Sequence, residues 1–167
     1  MNKKLVVTLL VLLFVFSLGI RLYFVFQTPH FNLGDSYFTE RQVTSILETG
    51  LPNYIDVLSF SGKTQAFVPL FYYILALFNT VMPFWWVGKL IPNILASSIV
   101  FFSFILAKRI TRSDVAALLT AFLSAFIPIF FIQTLNNISP YSIVIPLMLY
   151  QLYCFMEKKF TMFGILA

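Results

Sequence analysis

The chain has 167 residues, of which 60% are hydrophobic and only 10% charged, with a formal net charge of +5. A soluble domain carries roughly a quarter of its residues as charges, so this chain lacks the polar groups to cover a globular surface, and soluble, disordered and disulfide-framework classes are excluded. The 11 Lys and Arg stand in twos and threes between apolar runs, as membrane flanks do, which excludes a nucleic-acid partner. A single cysteine, Cys154, rules out an internal disulfide.

The first apolar run, 5–26, follows Lys3 and Lys4 and is long enough to cross a hydrocarbon core of about 30 Å. It exceeds the apolar core of a signal peptide and ends without a small-residue cleavage site, so it reads as a retained span. Residues 27–85 form one large loop. Within it 35–49 reads as a helix, with Asp35 at its N-cap, Gly50 beyond its end, and Phe38, Val43, Ile46 and Leu47 on its apolar face. The stretch 56–64 is polar and turn-rich. A second loop helix, 67–79, is centred on Phe71, Tyr72 and Tyr73. Three further spans are expected at 86–107, 115–132 and 141–156, each with one proline: Pro92, Pro128 and Pro146. An incomplete span starts at 160, so the chain is expected to be the N-terminal piece of a larger protein.

Basic residues fix the expected topology. If 67–83 does not cross and the N-terminus is cytoplasmic, Lys3, Lys4, Lys108, Arg109, Arg112, Lys158 and Lys159 all face the cytoplasm, seven of the eleven. If it crosses, both basic loops move outside. The expectation is therefore a multi-pass, all-α membrane protein with four spans and the loop 27–85 on the non-cytoplasmic side. Four of its six acids, Asp35, Glu40, Glu48 and Asp56, lie in that loop.

Asp35 has two readings. It caps a helix, or it serves as a general base or cation ligand where a span meets an external loop. At about 100° per residue, Gln42 shares its face and Arg41 does not; Arg41 and Glu48 share another. Other apparent motifs fail. Ser61-Gly62-Lys63-Thr64 imitates the end of a phosphate-binding loop, but Val57 stands where its first glycine belongs. Asn137-Ile138-Ser139 has glycosylation spacing but is followed by Pro140. His30 has no partner histidine, and Trp85-Trp86 reads as an interfacial anchor.

The run Asp35-Ser36-Tyr37-Phe38-Thr39-Glu40-Arg41 resembles the Asp-x-aromatic-aromatic-x-x-Arg run that follows the first span of oligosaccharyltransferase catalytic subunits. The order of its neighbours is similar too: 19–24 resembles the end of that first span, 45–52 a helix closing on a Gly-x-Pro turn, 69–73 an apolar external helix, and 116–128 the third span. The resemblance covers nearly the whole chain through short motifs and extends to the GT-C class of polytopic glycosyltransferases, which includes protein mannosyltransferases. It implies a membrane glycosyltransferase that moves a sugar from a polyprenyl-phosphate-linked donor to a protein or lipid-linked acceptor on the non-cytoplasmic side. Asp35 is then catalytic or a metal ligand, and Tyr37, Arg41, Asn136 and Asn137 contact substrate. Mg²⁺ or Mn²⁺ is expected in the full-length protein and none in this piece. One departure points to a relative rather than an oligosaccharyltransferase proper: the second external loop, 133–142, carries Pro140 and Ser142 where that family places acids. The alternative reading is a non-enzymatic polytopic protein, a transporter piece or assembly subunit, which should place an ionisable group within a span.

Overall fold

The computed structural model describes residues 2–32, 34–56, 62–64 and 69–166. The regular structure in this range is helical apart from a two-residue antiparallel ladder. Its elements are α1 (Lys3–Phe26), α2 (Gly34–Thr49), β1 (Ile55–Asp56), β2 (Lys63–Thr64), α3 (Leu70–Asn79), α4 (Phe84–Ser97), α5 (Ile99–Thr111), α6 (Asp114–Ala125), α7 (Pro128–Leu135), α8 (Tyr141–Met156) and α9 (Phe160–Leu166).

Among the described residues two helices are long and apolar enough to cross a membrane: α1, with 24 residues, and Phe84–Thr111, where α4 and α5 run on through Ser98 for 28. The pair α6 and α7 makes a third if taken as one broken span, bent by 47°. Of the three prolines within the expected spans, only Pro128 breaks its helix. It opens α7 as a first-turn residue, where a missing N–H costs nothing. The 16 residues of α8 extend about 24 Å, short of a full hydrocarbon core. Only 17% of α1's apolar window is buried. Leu5, Val7, Leu9, Leu12, Val15 and Phe16 are exposed along it, a face suited to lipid rather than water.

The long helices alternate in direction. One apolar cluster ties Val6 of α1 to Phe104 and Ala107 of α5 and to Ala117, Ala121 and Ala125 of α6. The small side chains let α5 and α6 approach closely, and Ser103 and Ser124 share a hydrogen bond of 2.7 Å between them. At the other end α1 stops, α4 and α8 start and α7 stops. There a second cluster joins Val43 and Ile46 of α2, Phe71, Tyr72 and Leu75 of α3, Val87 and Ile91 of α4, and Ile138. Helix α3, expected from 67 with its first two positions outside the described residues, packs on α2 at this same end and hands the chain to α4 there.

Two cations inside these helices are wholly buried. The Lys89 ammonium donates to the carbonyls of Val25, at 2.7 Å, and Thr28. It lies over the rings of Trp85, Phe26 and Phe31 at 4.8, 5.7 and 6.0 Å, so it closes the C-terminal end of α1 with positive charge. The Arg21 guanidinium lies over the rings of Phe130 and Phe131 and donates from Nη1 to Thr134 Oγ1 at 2.9 Å. Its Nε and Nη2 have no hydrogen-bond partner among the described residues.

Gly88 leaves the room that this end needs. A Cβ there would stand 2.5 Å from Ile138 Cδ1 and 2.8 Å from Phe31 Cζ. Gly88→Ala is expected to destabilise the fold by about 1–3 kcal/mol, and Gly88→Val by more. Thermal unfolding in detergent checks this, and a midpoint unchanged in both variants would contradict the packing.

Candidate functional site

Helix α2 is held to the α7–α8 loop by its own small polar residues. Ser36 Oγ donates to Asn137 Oδ1 at 3.0 Å and accepts from the Ile138 N–H at 3.0 Å. Thr39 Oγ1 donates to the Ile138 carbonyl at 3.2 Å. Ser36, Thr39, Val43 and Ile46 recur at helical spacing and are all buried, so the same stripe that packs on α3 also clamps the loop. Leu47, expected on that face, is exposed. Gln42 is buried and exchanges two hydrogen bonds with the Asn53 backbone, at 3.0 and 2.7 Å, fixing the return of the chain after Gly50. Gly50 itself ends α2 with φ +79°, the left-handed conformation that favours glycine.

This clamp leaves a cavity of about 590 Å³ between α2, α3 and the start of α8, lined by Asp35, Phe38, Thr39, Arg41, Tyr72 and the segment 138–141. Asp35 and the second loop, far apart in sequence, thus face one space. Helix α2 begins at Gly34, so Asp35 stands in its first turn, not at the N-cap as expected. A carboxylate there still interacts favourably with the helix dipole. Arg41 also reaches the cavity, although helical spacing puts it on another face. Its guanidinium lies 5.7 Å over the Phe38 ring, and a side chain of that length can lean around the helix.

The other expected contacts are placed elsewhere. Tyr37 lines a neighbouring cavity with Glu40, Arg41, Thr44, Ser45, Glu48 and Asn53; Arg41 alone borders both. Asn136 and Asn137 are buried beneath the loop and do not line Asp35's cavity. Asn136 Nδ2 donates to Thr28 Oγ1, the His30 carbonyl and Asn32 Oδ1 at 2.7, 2.8 and 3.0 Å. Asn137 Nδ2 donates to the Gln133 carbonyl at 3.3 Å. The amide nitrogens are thus engaged in tying the loop to Thr28, His30, Asn32 and Gln133, while Asn136 Oδ1 is buried without a hydrogen-bond partner among the described residues. The residues that sequence reasoning missed as site residues include Tyr72 and Tyr141; the aromatic centre of α3 carries no spacing signal that points to a site.

Burial pushes the Tyr72 phenol above its usual value, and the Asp35 charge pushes it further in the same direction. A raised acid pKa means the neutral form is favoured by folding, so Tyr72's contribution is complete below the unfolded value of about 10 and is lost as pH rises through the folded value. Stability is expected to fall above about pH 10 less steeply in Tyr72→Phe than in the wild type, measured by alkaline titration of the unfolding midpoint. Identical alkaline slopes would contradict it.

Among the described residues no group of three or more His, Cys, Asp or Glu is arranged to hold a metal ion. A hard divalent cation takes six or more oxygens with carboxylates supplying charge. The cavity offers the Asp35 carboxylate with neutral oxygens from Thr39, Ser139 and the tyrosines, a donor set that does not fit. No protein-family model, no curated protein and no solved structure matches the chain.

Proposed function

We propose that the chain is the N-terminal membrane part of a GT-C-type glycosyltransferase that takes a sugar from a polyprenyl-phosphate-linked donor. The observation that carries this reading is the cavity in which Asp35 and Arg41 face Tyr72 and the Ser139–Tyr141 segment, at the end of the bundle where spans converge. An acceptor hydroxyl or amide attacks the anomeric carbon, and the bond from that carbon to the phosphate oxygen breaks with the electron pair leaving on phosphate. Asp35 orients the acceptor and takes its proton. Arg41 offsets charge on the leaving phosphate, and Tyr72 and Tyr141 hydrogen-bond sugar hydroxyls. No step passes through a metal.

The polar cavity sits opposite the basic ends of α5 and α8, which supports a non-cytoplasmic site with a cytoplasmic N-terminus. Val81, highly exposed just after α3, and Ile110, exposed near the end of α5, test it as single cysteines in a Cys154→Ser background. An impermeant thiol reagent should label position 81 in intact cells and position 110 only after permeabilisation; the reverse would overturn the orientation. The activity is tested with membranes holding the complete gene product and a radiolabelled polyprenyl-phosphate sugar. Transfer to endogenous acceptor above vector-only membranes is expected, and its absence with well-expressed protein would count against the enzyme.

A second reading, a non-enzymatic polytopic protein, draws support from Arg21. It is fully buried five residues before the end of a span, with Nε and Nη2 lacking a hydrogen-bond partner among the described residues, and an ionisable group within a span is what that reading expects. That reading expects Arg21→Met to abolish assembly while Asp35→Asn is silent.

A further inference from the structure

Charge is distributed unevenly along the bundle. Helix α1 starts, α5 ends, α6 starts and α8 ends at one end, which gathers Lys3, Lys4, Lys108, Arg109, Arg112, Lys158 and Lys159 with Asp114 and Glu157. Seven cations against two acids equal the whole formal charge of +5, and the remaining four cations and four acids balance. Between α5 and α8 at this end lies a cavity of about 300 Å³ lined by the cations Lys108, Arg109 and Arg112, by the Glu157 carboxylate that pairs with Arg109, by Tyr153, and by the apolar Phe104 and Ile105.

The three cations are not equivalent. Lys108 pairs with Asp114 at 2.9 Å and Arg109 with Glu157 at 2.6 Å. Arg112 has no such partner among the described residues and is exposed. It also occupies a left-handed corner, φ +56°, where glycine is the inexpensive residue. A cation at a helix C-terminus gains from the dipole, but any position in that last turn supplies that gain without the backbone cost. A free guanidinium beside a lysine and apolar side chains, at the end of membrane-length helices, matches a phosphate that carries acyl chains.

We propose that this cavity binds an anionic phospholipid, with its phosphate on Arg112 and Lys108 and an acyl chain along Phe104 and Ile105. The proposal rests on the membrane reading and is independent of the enzymatic one. Native mass spectrometry tests it on the full chain, extracted from vesicles containing phosphatidylglycerol and phosphatidylcholine in equal amounts. The wild type should retain phosphatidylglycerol preferentially, Arg112→Gln should lower that retention about fivefold, and Arg112→Lys should restore most of it. Lys3→Gln, which removes one charge from the same end outside the cavity, should change it little. Millimolar inorganic phosphate should not displace the lipid. Equal losses in Lys3→Gln and Arg112→Gln would show a diffuse basic surface and overturn the site, as would displacement by free phosphate or equal retention of the two lipids. Failure to enter vesicles of either lipid would sink the membrane reading as well.

Discussion

Asp35→Asn is expected to reduce sugar transfer by about a hundredfold or more, the range lost when a general base is removed, with expression and unfolding midpoint unchanged. The substitution separates chemistry from structure because of its magnitudes. Asn keeps the shape of the side chain, and Asp35 is exposed. The structural cost is confined to a first-turn dipole interaction of about 0.3–1 kcal/mol. A hundredfold loss of rate corresponds to about 2.7 kcal/mol in the barrier, more than that interaction supplies. Transfer assays on matched membranes decide it: full activity in Asp35→Asn would remove Asp35 from the mechanism, whatever the cavity looks like.

The two buried cations should respond in opposite ways to the same substitution. Lys89→Met keeps the stem among Trp85, Phe26 and Phe31 but strips the donor from the Val25 and Thr28 carbonyls. Buried acceptors left unpaired cost about 1–3 kcal/mol each, and the charge at the end of α1 is lost as well. A loss of about 2 kcal/mol or more is expected, which lowers the unfolding midpoint by roughly 5 °C in a chain of this size. Arg21→Met surrenders one hydrogen bond to Thr134 and relieves two buried N–H groups that have no partner among the described residues. A charge buried without a counter-charge gives little or no net stability, so the midpoint is expected to stay level or rise. Equal losses in both variants would contradict this contrast.

The helices were legible because their signal is long and redundant. An apolar run such as 5–26 tolerates errors in any one residue, and the structure moves its boundary by only two residues, to Lys3–Phe26. The break at Pro128 was not legible, since Pro92 and Pro146 look the same in sequence and lie inside unbroken helices. Spacing from Asp35 placed Arg41 on another face; its long side chain leans back over the ring of Phe38, one turn earlier on the same helix, and so borders the cavity. Asn136 and Asn137 were expected to contact substrate because they stand in the second external loop, where the resembled family places its acids. Only the packed structure reveals the Thr28–Asn32 backbone and side chains that engage Asn136. Arg21 and Lys89 stand near span ends, but their burial depends on which rings close over them, and no sequence pattern announces that. The ladder of β1 and β2 rests on two residue pairs, too short for any alternation to announce. Lys63 and Thr64 of the phosphate-loop imitation fall within that ladder, and its Ser61 and Val57 lie outside the described residues.

The central claim, that a lipid-linked sugar occupies the space beside Asp35, is tested most directly by photo-crosslinking. A polyprenyl-phosphate sugar bearing a diazirine on the sugar is irradiated with membranes containing the complete protein, and the adducts are mapped by peptide mass spectrometry. The account predicts adducts on Phe38, Tyr72 and the Ser139–Tyr141 segment, competed by unlabelled donor and insensitive to phosphatidylcholine. Adducts confined to the lipid-facing side of α1, or labelling around Asp35 that unlabelled donor does not reduce, would contradict it.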